Sequence, residues 1–96
     1  MNVLLLGSGG REHAMAMKLA SSPLLSNLYI APGNPGTEKC GVNLKINILD
    51  FNAIGEVCKD LNILMVIVGP EEPLVKGITD YFLSQQELKH ISVIGP

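Results

Sequence analysis

Glycines at positions 7, 9 and 10 follow an apolar run, Val3-Leu4-Leu5-Leu6, and precede Arg11-Glu12-His13-Ala14, which opens a helical pattern. A glycine turn between a strand and a helix offers backbone N–H groups and the positive end of the helix dipole to an anion, usually a phosphate. Glycine suits such a turn because it reaches backbone angles closed to other residues and lets a ligand approach the main chain. Gly7, Ser8, Gly9 and Gly10 are therefore the first candidate binding residues, with Arg11 and Glu12 beside them. Two further apolar runs break in a similar way. One ends in Ala31-Pro32-Gly33-Asn34-Pro35-Gly36-Thr37, where prolines stiffen a loop that glycines free. Such a loop holds one shape while exposing backbone N–H groups and the Asn34 amide. The other ends in Gly69-Pro70-Glu71-Glu72-Pro73 and delivers carboxylates at a helix start. Glu71, nearest the strand end, is the candidate acceptor for a ligand hydroxyl or amine.

Each feature also has a plainer reading. The turn at 7–10 would serve as a strand-to-helix connection with no ligand at all. Arg11 and Glu12 would be surface residues of a first helical turn, and Glu71 and Glu72 acids favoured by the helix dipole. His13 would cap or pack, and nothing in its surroundings makes it a catalytic base. No catalytic residue is assigned.

The glycines invite comparison with the dinucleotide-binding fingerprint G-x-G-x-x-G. Gly7 and Gly9 fit its first two positions, but the third falls on Glu12. The acidic residue that should follow the second strand, to hold the ribose hydroxyls, is also missing, since that strand ends Tyr29-Ile30-Ala31-Pro32. NAD binding is thereby demoted. A Walker-type phosphate loop fails as well, because no Gly-Lys-Ser/Thr follows the glycines.

These loops need a scaffold, and the intervening sequence supplies one. Apolar segments at 2–6, 28–31, 63–68 and 91–94 alternate with helical patterns, the signature of βαβ units and a parallel sheet. The expected helices cover 11–21, a segment capped by Asp50, and one stretch begun by Pro73 and striped by Leu74, Val75, Ile78, Tyr81 and Phe82. In the second, Ile54, Val57, Cys58 and Leu61 form one apolar stripe, weakened by Gly55. Met15, Met17, Met65, Tyr81 and Phe82 read as core. The stretch 32–48 reads as irregular, with a short strand near 44–46 and a partly ordered loop over 38–47. The fold class is a Rossmann-like open parallel sheet of four to five strands with helices on both faces. Ligands of such sheets bind at the carboxyl ends of the strands, where all three glycine- and proline-rich loops fall.

Composition narrows the function further. The chain has 96 residues, 47% hydrophobic and 17% charged, with a net charge of −2, enough for one compact core and too evenly charged for a nucleic-acid surface. No apolar run approaches the roughly 20 residues of a membrane span, and Met1-Asn2 leads into the first strand without a signal-peptide pattern. A cytoplasmic protein with reduced Cys40 and Cys58 is expected, and no metal site, since cysteines and histidines lack ligand spacing.

Taken together, Gly-Ser-Gly-Gly-Arg-Glu-His-Ala at 7–14, Ala-Pro-Gly-Asn-Pro-Gly-Thr at 31–37 and Val-Gly-Pro-Glu-Glu-Pro-Leu-Val at 68–75 resemble the N-terminal domain of phosphoribosylamine–glycine ligase. The terminal Val93-Ile94-Gly95-Pro96 is similar to the point where that family passes into its ATP-grasp region, so the resemblance spans the chain. It implies a pre-ATP-grasp domain of a longer, cytoplasmic enzyme of purine biosynthesis, with the ATP-grasp and C-terminal domains outside residues 1–96. That enzyme joins glycine to 5-phosphoribosylamine with ATP and Mg²⁺ (or Mn²⁺), through a glycyl phosphate. ATP and metal would bind the absent domain, none on this chain, and the isolated 96 residues would be inactive. The implied partners are the small-molecule substrates and the rest of the same polypeptide, with no nucleic acid and no membrane. Carried onto this sequence, the substrate contacts are Gly7, Ser8, Gly9, Gly10, Arg11 and Glu12, with Pro32, Gly33, Asn34, Pro70 and Glu71 shaping the ribosyl pocket. The turn at 7–10 meets either the phosphate or the amine and glycyl end; helix-dipole electrostatics lean toward phosphate. The alternatives are a stand-alone nucleotide or sugar-phosphate binding module, and an interaction domain whose glycine loops are only turns.

Overall fold

A computed structural model describes residues 1–95 of the chain. Pro96, the last residue of the resemblance, lies outside them. Strands β1 (Asn2–Gly7), β2 (Asn27–Pro32), β3 (Val42–Asn43), β4 (Ile63–Val68) and β5 (Ser92–Ile94) form one sheet in the order β3-β2-β1-β4-β5. Every pairing is parallel. Helix α1 (Gly10–Ala20) connects β1 to β2, and α2 (Phe51–Asp60) precedes β4. Two short helices, α3 (Glu72–Val75) and α4 (Ile78–Ser84), lead toward β5.

Side-chain alternation along β1 divides the core in two. Leu4 and Leu6 point to the face packed by Ile54 and Cys58 of α2 and by Ile78 and Phe82 of α4. Val3 and Leu5 point to the opposite face, where Ala16, Met15 and Leu19 of α1 cover them. Leu4, Leu5 and Leu6 are fully buried, as expected of a central strand covered on both sides. The helices thus lie on both faces. From β1 the chain moves toward β2 and from β4 toward β5, so the crevice between β1 and β4 is the topological switch point, where ligands of open α/β sheets bind.

The structure departs from the sequence reading in four places. The expected third helix is two, because Gly77 takes φ 97°, a left-handed conformation that ends the first turn and caps the second. Val75, assigned to its apolar stripe, is consequently 78% exposed. Met17 is not core but exposed on the outer side of α1. The short strand falls at Val42–Asn43 rather than near 44–46, preceded by a single 3₁₀ turn at Thr37–Lys39. The loop expected to be partly ordered is thus pinned to β2. Finally, the β1–β4 register skips Leu64, which is exposed in a strand whose other residues are buried or half-buried.

Candidate functional site

The carboxyl ends of β1, β2 and β4 bring the three loops together. Gly7 and Pro32 are paired across β1 and β2, and Gly69 N donates to Leu6 O at 3.0 Å where β4 leaves the sheet. Gly33 N donates to Gly7 O, also at 3.0 Å, tying the second loop to the first. A cleft of about 360 Å³ opens above these ends, lined by Gly7, Ser8, Glu12, Pro32 and Pro70. Its far wall is Ile46, Asn47 and Ile48, residues that sequence reasoning did not assign to the site. They lie in an irregular stretch without periodicity, and no local signal marks them.

Glu12 is the most unexpected feature. Expected either to face solvent or to meet a ligand, it is only 7% exposed. As the third residue of α1, its Oε1 accepts from Gly9 N at 2.8 Å, which satisfies one of the donors a helix start leaves open. Its carboxylate lies in the crevice between Gly7 and Gly69. A Cβ at Gly7 would stand 2.3 Å from Glu12 Cγ, and one at Gly69 would stand 2.4 Å from Glu12 Oε2. Gly7 also holds φ 140°. Glycine is therefore demanded at both strand ends by the approach of this side chain, as much as by any ligand. Arg11 is exposed; its guanidinium donates to Gly69 O, and its Nε stands 3.8 Å from Glu12 Oε2.

Asn34 ties the second loop to the first. Its Nδ2 donates to Ser8 O at 2.9 Å and Gly9 O at 3.2 Å, and its Oδ1 accepts from Thr37 N at 3.0 Å. Its backbone N–H is engaged too, donating to Thr37 Oγ1 at 2.8 Å. Thr37 is fully buried, and its hydroxyl reaches Asn34 O and Asn43 Oδ1 at 2.9 and 2.7 Å. A half-buried Thr–Asn network engages these groups and fixes the shape of the loop. His13 packs its imidazole against Gly36, where a Cβ would stand 2.5 Å from Cε1.

The third loop contributes Pro70 to the cleft, whereas Glu71 is exposed at the start of α3 and makes no side-chain cap bond. The N–H groups of Gly10, Arg11 and Glu12 stand at the start of α1, before the first helical bond from His13 N to Gly9 O. Among the described residues no three His, Cys, Asp or Glu side chains gather as metal ligands.

The model of the family described as phosphoribosylglycinamide synthetase, N domain, matches residues 1–96. The chain belongs to that family. A phosphoribosylamine–glycine ligase from Mesorhizobium japonicum is 52% identical over 96 residues, all of this chain and 22% of the relative. The chain thus spans about a fifth of the length of that curated relative. The phosphoribosylamine–glycine ligase of Thermotoga maritima superposes with a TM-score of 0.58 at 27% identity, over 100% of this chain and 19% of the other. Apo saccharopine dehydrogenase from Saccharomyces cerevisiae superposes with a TM-score of 0.70 over 98% of this chain and 21% of its own, at 20% identity, a likeness of fold alone. Gly7, Ser8, Glu12, Pro32 and Pro70 of the cleft fall in the motifs at 7–14, 31–37 and 68–75, whereas Ile46, Asn47 and Ile48 fall outside them. A match over all of this chain to the N-domain family favours membership of that family over a stand-alone sugar-phosphate module.

Proposed function

We propose that residues 1–96 are the N-terminal, pre-ATP-grasp domain of a longer ligase that joins glycine to 5-phosphoribosylamine in purine biosynthesis. The observation that carries this reading is convergence: three motifs separated in sequence form one cleft at the switch point of the sheet. In the proposed reaction, ATP phosphorylates the glycine carboxylate and the amine of phosphoribosylamine then displaces phosphate. ATP and Mg²⁺ would supply that activation from the ATP-grasp region beyond this chain.

The work of this domain is to bind and orient the ribonucleotide. Gly7, Ser8, Gly9 and Gly10 let the ligand approach the main chain, and Glu12 forms the floor. Pro32 and Gly33 make one wall, held in place by Asn34, while Pro70 makes the other. Glu71, at the rim, accepts from a ribose hydroxyl. Arg11 braces the floor through Gly69 O. Prepaid orientation of this kind is a large share of what a ligase gains by binding its substrates.

Purified residues 1–96 should release no phosphate in the presence of ATP, glycine and phosphoribosylamine. The polypeptide encoded by the same reading frame past Pro96 should do so, and should carry a glycine-rich ATP loop with paired metal carboxylates. Phosphate release by the 96 residues alone, or an in-frame stop after Pro96, would contradict the proposal.

A further inference from the structure

In the dinucleotide-binding fingerprint the third glycine lets the helix pack closely on the strand, beside the crevice between the first and fourth strands. Here that position is Glu12, and the crevice is filled by its carboxylate. The side chain is more than nine-tenths buried and lines the cleft. One oxygen is committed to Gly9 N, the donor that a bound phosphate would otherwise use. The other, Oε2, accepts no hydrogen bond among the described residues, and its cationic neighbour is the exposed Arg11 at 3.8 Å. Arg11 is itself engaged with Gly69 O.

We infer that Glu12 determines which end of the ligand enters the cleft: Oε2 receives an amino or hydroxyl group, and the carboxylate turns a phosphate away from the turn at 7–10. This rests on the proposed ligase reading for the identity of the ligand, though not for the sign of the selectivity. A carboxylate that is largely withdrawn from water repels a second anion and is stabilised by a donor that meets its free lone pairs. The ribonucleotide therefore enters amine end first, its reactive nitrogen beside Glu12 and its phosphate outward. The same sign explains why a glycine-rich helix start, which favours anions in general, belongs here to a cleft whose floor is acidic. The fold supplies its own anion to the helix start and leaves the cleft for a donor.

The decisive variant is Glu12→Gln, which keeps the side-chain length and an oxygen for Gly9 N while removing the charge. Amide spectra of the labelled chain are recorded with inorganic phosphate and, separately, with glycinamide ribonucleotide. The native chain should leave the Gly9, Gly10 and Gly69 amides unmoved by phosphate, and Glu12→Gln should bind phosphate there at least about tenfold more tightly, since loss of one neighbouring charge is worth that much in a partly dry site. Glycinamide ribonucleotide should move the same amides in the native chain and do so more weakly in the variant. Phosphate binding at those amides in the native chain as tight as in the variant would overturn the inference, and so would a variant indifferent to phosphate. If the variant does not give a folded spectrum, Glu12→Met, also uncharged and of similar length, takes its place with the same expected gain. A native chain silent toward the ribonucleotide, beside a variant that gains phosphate, would sink the ligand identity and leave the role of Glu12 standing.

Discussion

Gly69 and Gly7 are small because Glu12 is close, a relation between residues far apart in sequence and adjacent in space. Gly69→Ala places a methyl group 2.4 Å from Glu12 Oε2 and should cost about 1–3 kcal/mol, the usual range for overpacking. Urea unfolding measures it, and Gly69→Ala combined with Glu12→Ala should recover part of the loss, because the clash has been removed. Additive losses would mean that Glu12 is not the reason for the glycine. Thr37→Val keeps the shape but removes the hydroxyl that the Asn34 N–H donates to and that donates to Asn43 Oδ1, and should cost about 1–3 kcal/mol in the same assay. An unchanged midpoint would show that the network is dispensable. At this scale the sequence was legible for residue type but not for partner. The fingerprint mismatch at Glu12 was visible, yet its burial was not, since that depends on β4 arriving beside β1. The bonds of the Asn34 amide to Ser8 O and Gly9 O are illegible for the same reason, since they depend on the second loop arriving beside the first.

At the scale of elements, local rules carried most of the weight. Asp50 accepts from Ala53 N at 3.1 Å and caps α2, as its position before an apolar stripe foretold. Asp50→Ala should lower stability by about 1 kcal/mol, read as a shift in the urea midpoint without a change in slope. A neutral substitution would mean that α2 is held by packing alone. Strand β4 is legible to the residue because a six-residue apolar run rich in Ile and Val, closed by Gly69-Pro70, favours a buried strand over a helix. The segment from 72 to 84 was not, because its periodicity runs straight through Gly77, and helical spacing does not register a break made by one left-handed residue. Edge strand β3 was misplaced by about two residues, since so short a strand has no pattern of its own and exists only by pairing with β2.

For the molecule as a whole, the alternation of strands and helices fixed a parallel sheet with two covered faces, and right-handed crossovers then leave few possible strand orders. The β1–β4 neighbourhood, on which the site depends, belongs to that order and to no local signal. The two-sided core also sets the thiol chemistry. Cys58 lies inside the α2 face of the sheet, and burial pushes its thiol from 9.0 up to about 12, while Cys40 is only half-buried. Ellman's reagent at neutral pH should therefore modify Cys40 in the folded chain and spare Cys58 until the chain unfolds. Equal rates at both thiols would contradict the packing of α2. Below pH 9 the Cys58 thiol is protonated in folded and unfolded states alike. Between 9.0 and about 12 the unfolded chain ionises it and the folded chain does not, so stability should fall with rising pH across that window. The decline should be shallower in Cys58→Ala than in the native chain.

The central claim is that the carboxyl ends of β1, β2 and β4 form the ribonucleotide half-site. The most direct measurement is an amide-resolved titration of the labelled chain with glycinamide ribonucleotide. Perturbations are expected at Gly7, Ser8, Glu12 and 46–48, which line the cleft, and at the adjoining Gly9, Gly10, Gly33, Asn34, Gly69 and Glu71. Perturbations confined to the groove at the opposite end of the sheet, between Lys59, Asn62 and His90, or none anywhere, would contradict it.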